Sequence, residues 1–72
     1  MNKVELLKRF GKNVKIERIK KDLTREQLAE IMNVSVNYLS NVENGKANMS
    51  LAKVLELAEY LKTDIENLLN FK

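Results

Sequence analysis

The chain of 72 residues contains no cysteine, no histidine and no proline, and only two glycines. Without thiols there are no disulfides, and without thiols or imidazoles no zinc site of the usual kind. The same absences delete cysteine nucleophiles and the commonest general base, so the expectation is a protein that is not an enzyme, with no cofactor and no metal. No apolar run exceeds two residues, which leaves neither a membrane span nor a signal-peptide core; the expected location is the cytoplasm, with no membrane partner. Charge of one sign is also scarce, the formal balance being only +3. That balance leans weakly towards an anionic partner.

What is present reads as a small folded domain. Hydrophobic residues make up 44% and charged residues 32%, a balance outside the disordered range. Folding at this size buries only ~60% of the unfolded surface, so self-association is a common remedy. Few breakers and apolar residues at helical spacing indicate an all-α chain forming one domain over residues 1–72. Leu6, Leu7, Phe10 and Val14 begin one stripe, continued by Ile16, Ile19 and Leu23, with Asn2 and Glu5 at its start; this helix spans about 3–21.

Thr24 and Gln27 form a capping-box pattern opening a second helix with Leu28, Ala29, Ile31 and Met32 on its inner face. Asn33-Val34-Ser35 is a turn, Asn being the non-glycine residue that best accepts a left-handed backbone. Ser35 caps a third helix containing Leu39 and Val42, ended by Gly45. Ser50 starts a fourth with Leu51, Val54, Leu55, Ala58 and Leu61, and Asp64 caps a fifth with Ile65, Leu68 and Leu69.

Two short helices joined by a tight turn form a helix-turn-helix, whose second helix can enter a DNA groove. That corner needs a small residue at the crossing, met by Ala29, and a positive-φ residue four positions on, met by Asn33. It also needs an apolar wedge, met by Leu28, Met32, Val34, Leu39 and Val42. Seven positions satisfy seven constraints.

The stretch Leu23-Thr24-Arg25-Glu26-Gln27-Leu28-Ala29-Glu30, then Val34-Ser35, Tyr38-Leu39-Ser40 and Val42-Glu43-Asn44-Gly45-Lys46, resembles the phage repressor and Cro-type helix-turn-helix domains (the xenobiotic-response-element type). Ser50-Leu51 and Leu61 through Leu69 continue the resemblance, which covers about residues 10–69. It implies a compact five-helix domain of the phage repressor type that binds operator DNA sequence-specifically, usually as a dimer. It also implies an ion pair between Arg18 and Glu43 that joins the first and third helices and leaves Arg18 near a phosphate. Arg25 stands where the family usually has Gln, Asn33 and Lys62 where it often has Gly, and Met49 where it often has Pro.

On the third helix Asn37, Ser40, Asn41 and Asn44 share one face at i, i+3, i+4 and i+7. Glu and Lys would be better helix formers on a merely solvated face. Amides and hydroxyls both donate and accept, which suits base edges, and Val36 can meet a thymine methyl. The expected base-reading residues are therefore Val36, Asn37, Ser40 and Asn41. Thr24 and Arg25 at the start of the second helix, with Arg18, Asn44 and Lys46, are the expected phosphate-binding residues. Arg25 is otherwise misplaced there, because the helix dipole repels a cation at that end.

Ile65, Leu68, Leu69 and Phe71 form the candidate two-fold interface; the alternative is that this segment closes the core. A dimer would set two third helices about 34–36 Å apart on a near-palindromic operator. The expected protein is thus a homodimeric transcriptional regulator, a repressor in the leading reading, binding double-stranded DNA with no small-molecule effector evident. A restriction–modification controller or an autoregulating antitoxin fits the same residues. A protein-interaction module without DNA binding is the reading from another class. The first 22 residues carry eight cations and three anions, whereas residues 23–46 carry two and three. The small net charge conceals a basic first helix beside a nearly neutral reading surface.

Overall fold

Four of the five helices begin where a short polar side chain satisfies backbone donors that the helix itself leaves free. In the computed structural model, which describes residues 1–72, α1 spans Lys3–Lys20, α2 Arg25–Met32, α3 Val36–Glu43, α4 Leu51–Tyr60 and α5 Ile65–Leu68. Asn2, Thr24, Ser35 and Ser50 each accept from the backbone N–H three residues on, and Thr24 and Gln27 complete a reciprocal capping box. Asp64 precedes α5 in an extended conformation, yet its carboxylate makes no capping bond, a departure from the expected cap.

The ends of α1 to α4 share one device. Asp22, Asn33, Gly45 and Lys62 all have positive φ, from 52° to 75°. After each, the next N–H reaches a carbonyl five residues back: Leu23 to Arg18, Val34 to Ala29, Lys46 to Asn41 and Thr63 to Ala58. A left-handed residue reverses the chain tightly enough for that bond to close the helix. Only Gly45 also meets a steric limit, because a Cβ there would lie 2.8 Å from the Lys8 Cα. The other three positions carry side chains at some conformational cost.

The core takes one narrow stripe from each helix: Phe10 and Val14; Leu28, Ala29 and Met32; Leu39 and Val42; Val54, Leu57, Ala58 and Leu61; and Leu68. Several expected stripe residues lie outside it. Leu6, Ile16, Ile19 and Ile31 are exposed. On α1 the inward positions after Val14 are Glu17 and Arg18, at the spacing of one helical face, which turns Ile16 and Ile19 outward. On α4 the expected Leu51 and Leu55 are exposed, and Leu57 fills the core instead. The set Val54, Leu57, Ala58 and Leu61 has the same i, i+3, i+4, i+7 spacing, so two stripes competed on periodicity alone.

Polar pins complete the frame. Glu17 is buried; its carboxylate accepts from Lys20 Nζ at 3.0 Å and from the Thr63 hydroxyl at 3.0 Å, tying α1 to the α4–α5 turn. Asn13 donates to the carbonyls of Leu68 at 3.1 Å and Asn70 at 2.8 Å, and Arg9 donates to that of Phe71. These bonds hold the C-terminal segment against α1. No helix is long and apolar enough to cross a membrane.

Candidate nucleic-acid interface

The α2–α3 corner has the local structure its residues demand. Ala29 is buried at the crossing, Asn33 adopts φ 57° and ψ 44°, and Ser35 Oγ accepts from the Tyr38 N–H at 2.9 Å. α3 turns Leu39 and Val42 fully inward. Its other face offers Val36, Asn37 and Asn44 exposed, with Ser40 and Asn41 half-buried. Asn44 Nδ2 lies 3.4 Å from Ser40 Oγ, one turn back. The expected base-reading residues therefore share an accessible face.

Glu43 fixes this face in space. Its side chain is completely buried, yet its carboxylate is fully engaged. Arg18 grips it through Nε at 2.7 Å and Nη2 at 3.1 Å, and Arg25 Nε donates to the same carboxylate at 2.9 Å. Planar fork geometry makes the Arg18 contact bidentate. One carboxylate at the end of α3 thus joins the last turn of α1 to the first residue of α2. The resemblance pairs Glu43 with Arg18 alone; Arg25 lies 18 positions away, and no periodicity links it to Glu43.

The two arginines divide. Arg18 sends its third arm, Nη1, to the Leu23 carbonyl at 2.7 Å, and its side chain is only 10% exposed. So embedded, Arg18 fits the structural pair and not the phosphate-binding place also expected for it. Arg25 is 31% exposed and commits only Nε, leaving its Nη groups without a partner in the chain. Thr24 beside it accepts from the Gln27 N–H at 3.1 Å while its own hydroxyl proton stays unused. Lys46 is exposed and has no ion-pair partner.

Two further residues that the sequence left unassigned shape this interface. Tyr38 donates its hydroxyl proton to the Asn48 carbonyl at 3.1 Å, bracing the α3–α4 loop. Gly11 lies where a Cβ would come within 2.3 Å of the Val42 carbonyl oxygen and 2.6 Å of that of Glu43. Its missing side chain lets α1 touch the backbone of α3. A glycine inside a helical pattern was the available signal, but it does not say which neighbour comes close.

At the C-terminus the expected two-fold surface divides. Leu68 is fully buried in its own core and offers nothing to a partner, which corrects its place in that set. Ile65, Leu69 and Phe71 are half-buried against the core. Leu69 and Phe71 line an open apolar groove of about 310 Å³ with Leu6, Leu7, Phe10, Met49, Leu51 and Val54.

Comparison with known proteins agrees with this geometry. The helix-turn-helix family model matches residues 14–68. Control protein C.SmaI of Serratia marcescens is 35% identical over 60 residues, covering 83% of this chain and 71% of that protein. The crystal structure of the restriction–modification controller protein C.AhdI from Aeromonas hydrophila superposes with a TM-score of 0.80 at 34% identity, covering 86% of this chain and 94% of that one. A hypothetical transcription factor, NHTF, from Neisseria gives a TM-score of 0.82 at 25% identity, with 96% and 79% covered. The five-helix architecture, the α2–α3 corner and these relatives together make the chain a member of the Cro/C1-type helix-turn-helix family of DNA-binding transcriptional regulators.

Proposed function

We propose that the protein works as a homodimer on a near-palindromic operator, with α3 of each subunit in the major groove, and that it represses transcription there. Val36, Asn37, Ser40 and Asn41 read base edges, while Thr24, Arg25, Asn44 and Lys46 hold the flanking phosphates. The observation that carries this reading is the outward face of α3. Its amides and hydroxyl are poor helix formers with versatile hydrogen bonding, and the helix bearing them is locked at its end by a buried carboxylate. Of the biological roles such a regulator fills, restriction–modification control is favoured over an antitoxin, because one similar protein is a restriction–modification controller and another a control protein.

The dimer surface is best placed on the outer face of α4 with the adjoining groove. Leu51 is 74% and Leu55 51% exposed, Leu69 and Phe71 adjoin Leu51, and so small a domain gains much from covering them. The function is tested by selecting bound sequences from a random DNA pool and measuring affinity for the recovered duplex against salt. A palindrome bound by two chains, with affinity falling steeply as salt rises, is the expected result. Failure to enrich any sequence, or binding insensitive to salt, overturns it in favour of a protein-interaction module. Leu51→Glu with Leu55→Glu should shift sedimentation towards monomer; an unchanged dimer would move the interface elsewhere.

A further inference from the structure

Three features stand out beyond the expected interface: the apolar groove at the C-terminus, the unpaired lysines of α1, and the carboxylate shared by two arginines. The third is the most constrained. Glu43 neutralises one guanidinium and touches two, so the Arg18–Glu43–Arg25 group keeps a net charge of +1. Arg18 holds that carboxylate with two arms and a backbone carbonyl with the third. The surplus positive charge therefore resides on Arg25, whose side chain is partly exposed and whose Nη groups have no partner in the chain. It lies at the N-terminus of α2, where the helix dipole already disfavours a cation. A phosphate at this point would relieve both charges and accept from the two Nη groups together.

From this geometry we infer that Glu43 is a positioning residue for a phosphate clamp formed by Arg25, and that the clamp is registered to the base-reading face because Glu43 is itself the last residue of α3. The proposal rests on the DNA-binding reading above. Arg25 Nε is held 2.9 Å from a carboxylate that cannot turn, since Arg18 fixes both its oxygens. The plane of the guanidinium, and hence the direction of its free N–H groups, is restricted by α3. Asn41 precedes Glu43 by two residues on the same short helix. One rigid element thus sets the phosphate contact and the base contact in a fixed spacing. A lysine could supply the charge, but a single ammonium lacks the planar fork that both bonds α3 and presents a paired donor edge to phosphate.

The test is a double-variant cycle on the intact chain, measuring affinity for the selected operator duplex and for a random-sequence duplex across a salt series. Arg25→Gln should weaken both duplexes about tenfold or more and reduce the salt slope by ~1. Glu43→Gln should lose about tenfold more on the operator in the unaltered background than when Arg25 is already Gln, the loss common to both backgrounds being that of the Arg18 contact. Because Glu43→Gln also leaves Arg18 without its partner, Arg25→Lys provides the arm that spares the buried pair. It should bind with a near-normal salt slope but about tenfold less tightly than the unaltered chain. Full affinity for Arg25→Lys, strictly additive losses in the cycle, or tighter binding by Glu43→Gln would overturn the clamp. An unaltered protein that binds neither duplex would instead overturn the DNA-binding reading itself.

Discussion

Replacing Gly11 by alanine should destabilise the domain, although helix propensity alone says the opposite. In an exposed helix interior the exchange gains roughly 1 kcal/mol, which for a domain of this size raises Tm by ~4–8 °C. Here the added Cβ would sit 2.3 Å from the Val42 oxygen, 2.6 Å from the Glu43 oxygen and 2.8 Å from the Glu43 carbonyl carbon. A relaxed carbon–oxygen contact needs ~3.3 Å, so the shortest is about 1 Å too close. All three atoms are backbone, and no rotamer change moves them. α1 and α3 must part, and a gap of that size forfeits a quarter to a half of each dispersion contact between them. The same displacement stretches the 2.7 Å bond from Arg18 to Glu43. Overpacking of this kind costs ~1–3 kcal/mol, and the weakened buried pair adds to it. With about 1 kcal/mol from the weakened pair cancelling the propensity gain, the net loss is ~1–3 kcal/mol and the fall in Tm ~4–24 °C. Thermal and urea unfolding followed by far-ultraviolet circular dichroism measures it, with the exposed neighbour Lys12→Ala as control. A Gly11→Ala protein as stable as the unaltered one, or more so, would refute the close approach of α1 to α3.

Other outcomes follow from single contacts. Burial pushes the Glu17 carboxyl up, but hydrogen bonds from Lys20 and Thr63 and the charges of Lys20 and Lys21 outweigh it, so its pKa lies below the ordinary 4.5. A depressed folded pKa contributes stability in full above 4.5 and loses it as pH falls through the folded value; Glu17→Gln should therefore flatten the acid limb of stability measured by urea unfolding. Lys62 holds φ 52° at the end of α4, so Lys62→Gly should stabilise by ~1 kcal/mol, read as a higher urea midpoint with unchanged slope. Asn37→Ala should cost ~1–3 kcal/mol at the selected operator and relax base preference at one position, read by repeating the selection with the variant.

The helix starts were legible because a cap is a local bargain. Thr24 with Gln27, and Ser35 with Tyr38, lie within three residues, so the side chain and the backbone donor it satisfies appear in one short window. The left-handed turn at Asn33 was legible for the same reason. The outward face of α3 was legible too, since a helix of eight residues with Leu39 and Val42 on one side leaves only one other side for Asn37 and Asn44. Which stripe of α4 enters the core was not. Leu51 and Leu55 compete with Leu57 at identical spacing, and the choice depends on how α4 meets α2 and α5. Leu68 illustrates the same limit: an apolar residue near a chain end closes a core or faces a partner, and only packing separates the two.

Sequence by itself therefore determined five helices, the caps of the first four, the helix-turn-helix corner and the polar character of its reading face, all of which depend on residues within one or two turns of each other. Tertiary structure alone decided that Gly11 is the point of contact between α1 and α3, that Arg18 is an inward structural group, and that Arg25 shares its carboxylate. Those facts are set by distances between residues 18 to 32 positions apart, which exist only after the helices have packed. The near absence of net charge, so weak a guide at the start, gains its meaning there. Glu43 removes one positive charge from the surface by burying it in an ion pair, and leaves the other on the partly exposed Arg25 at the start of α2.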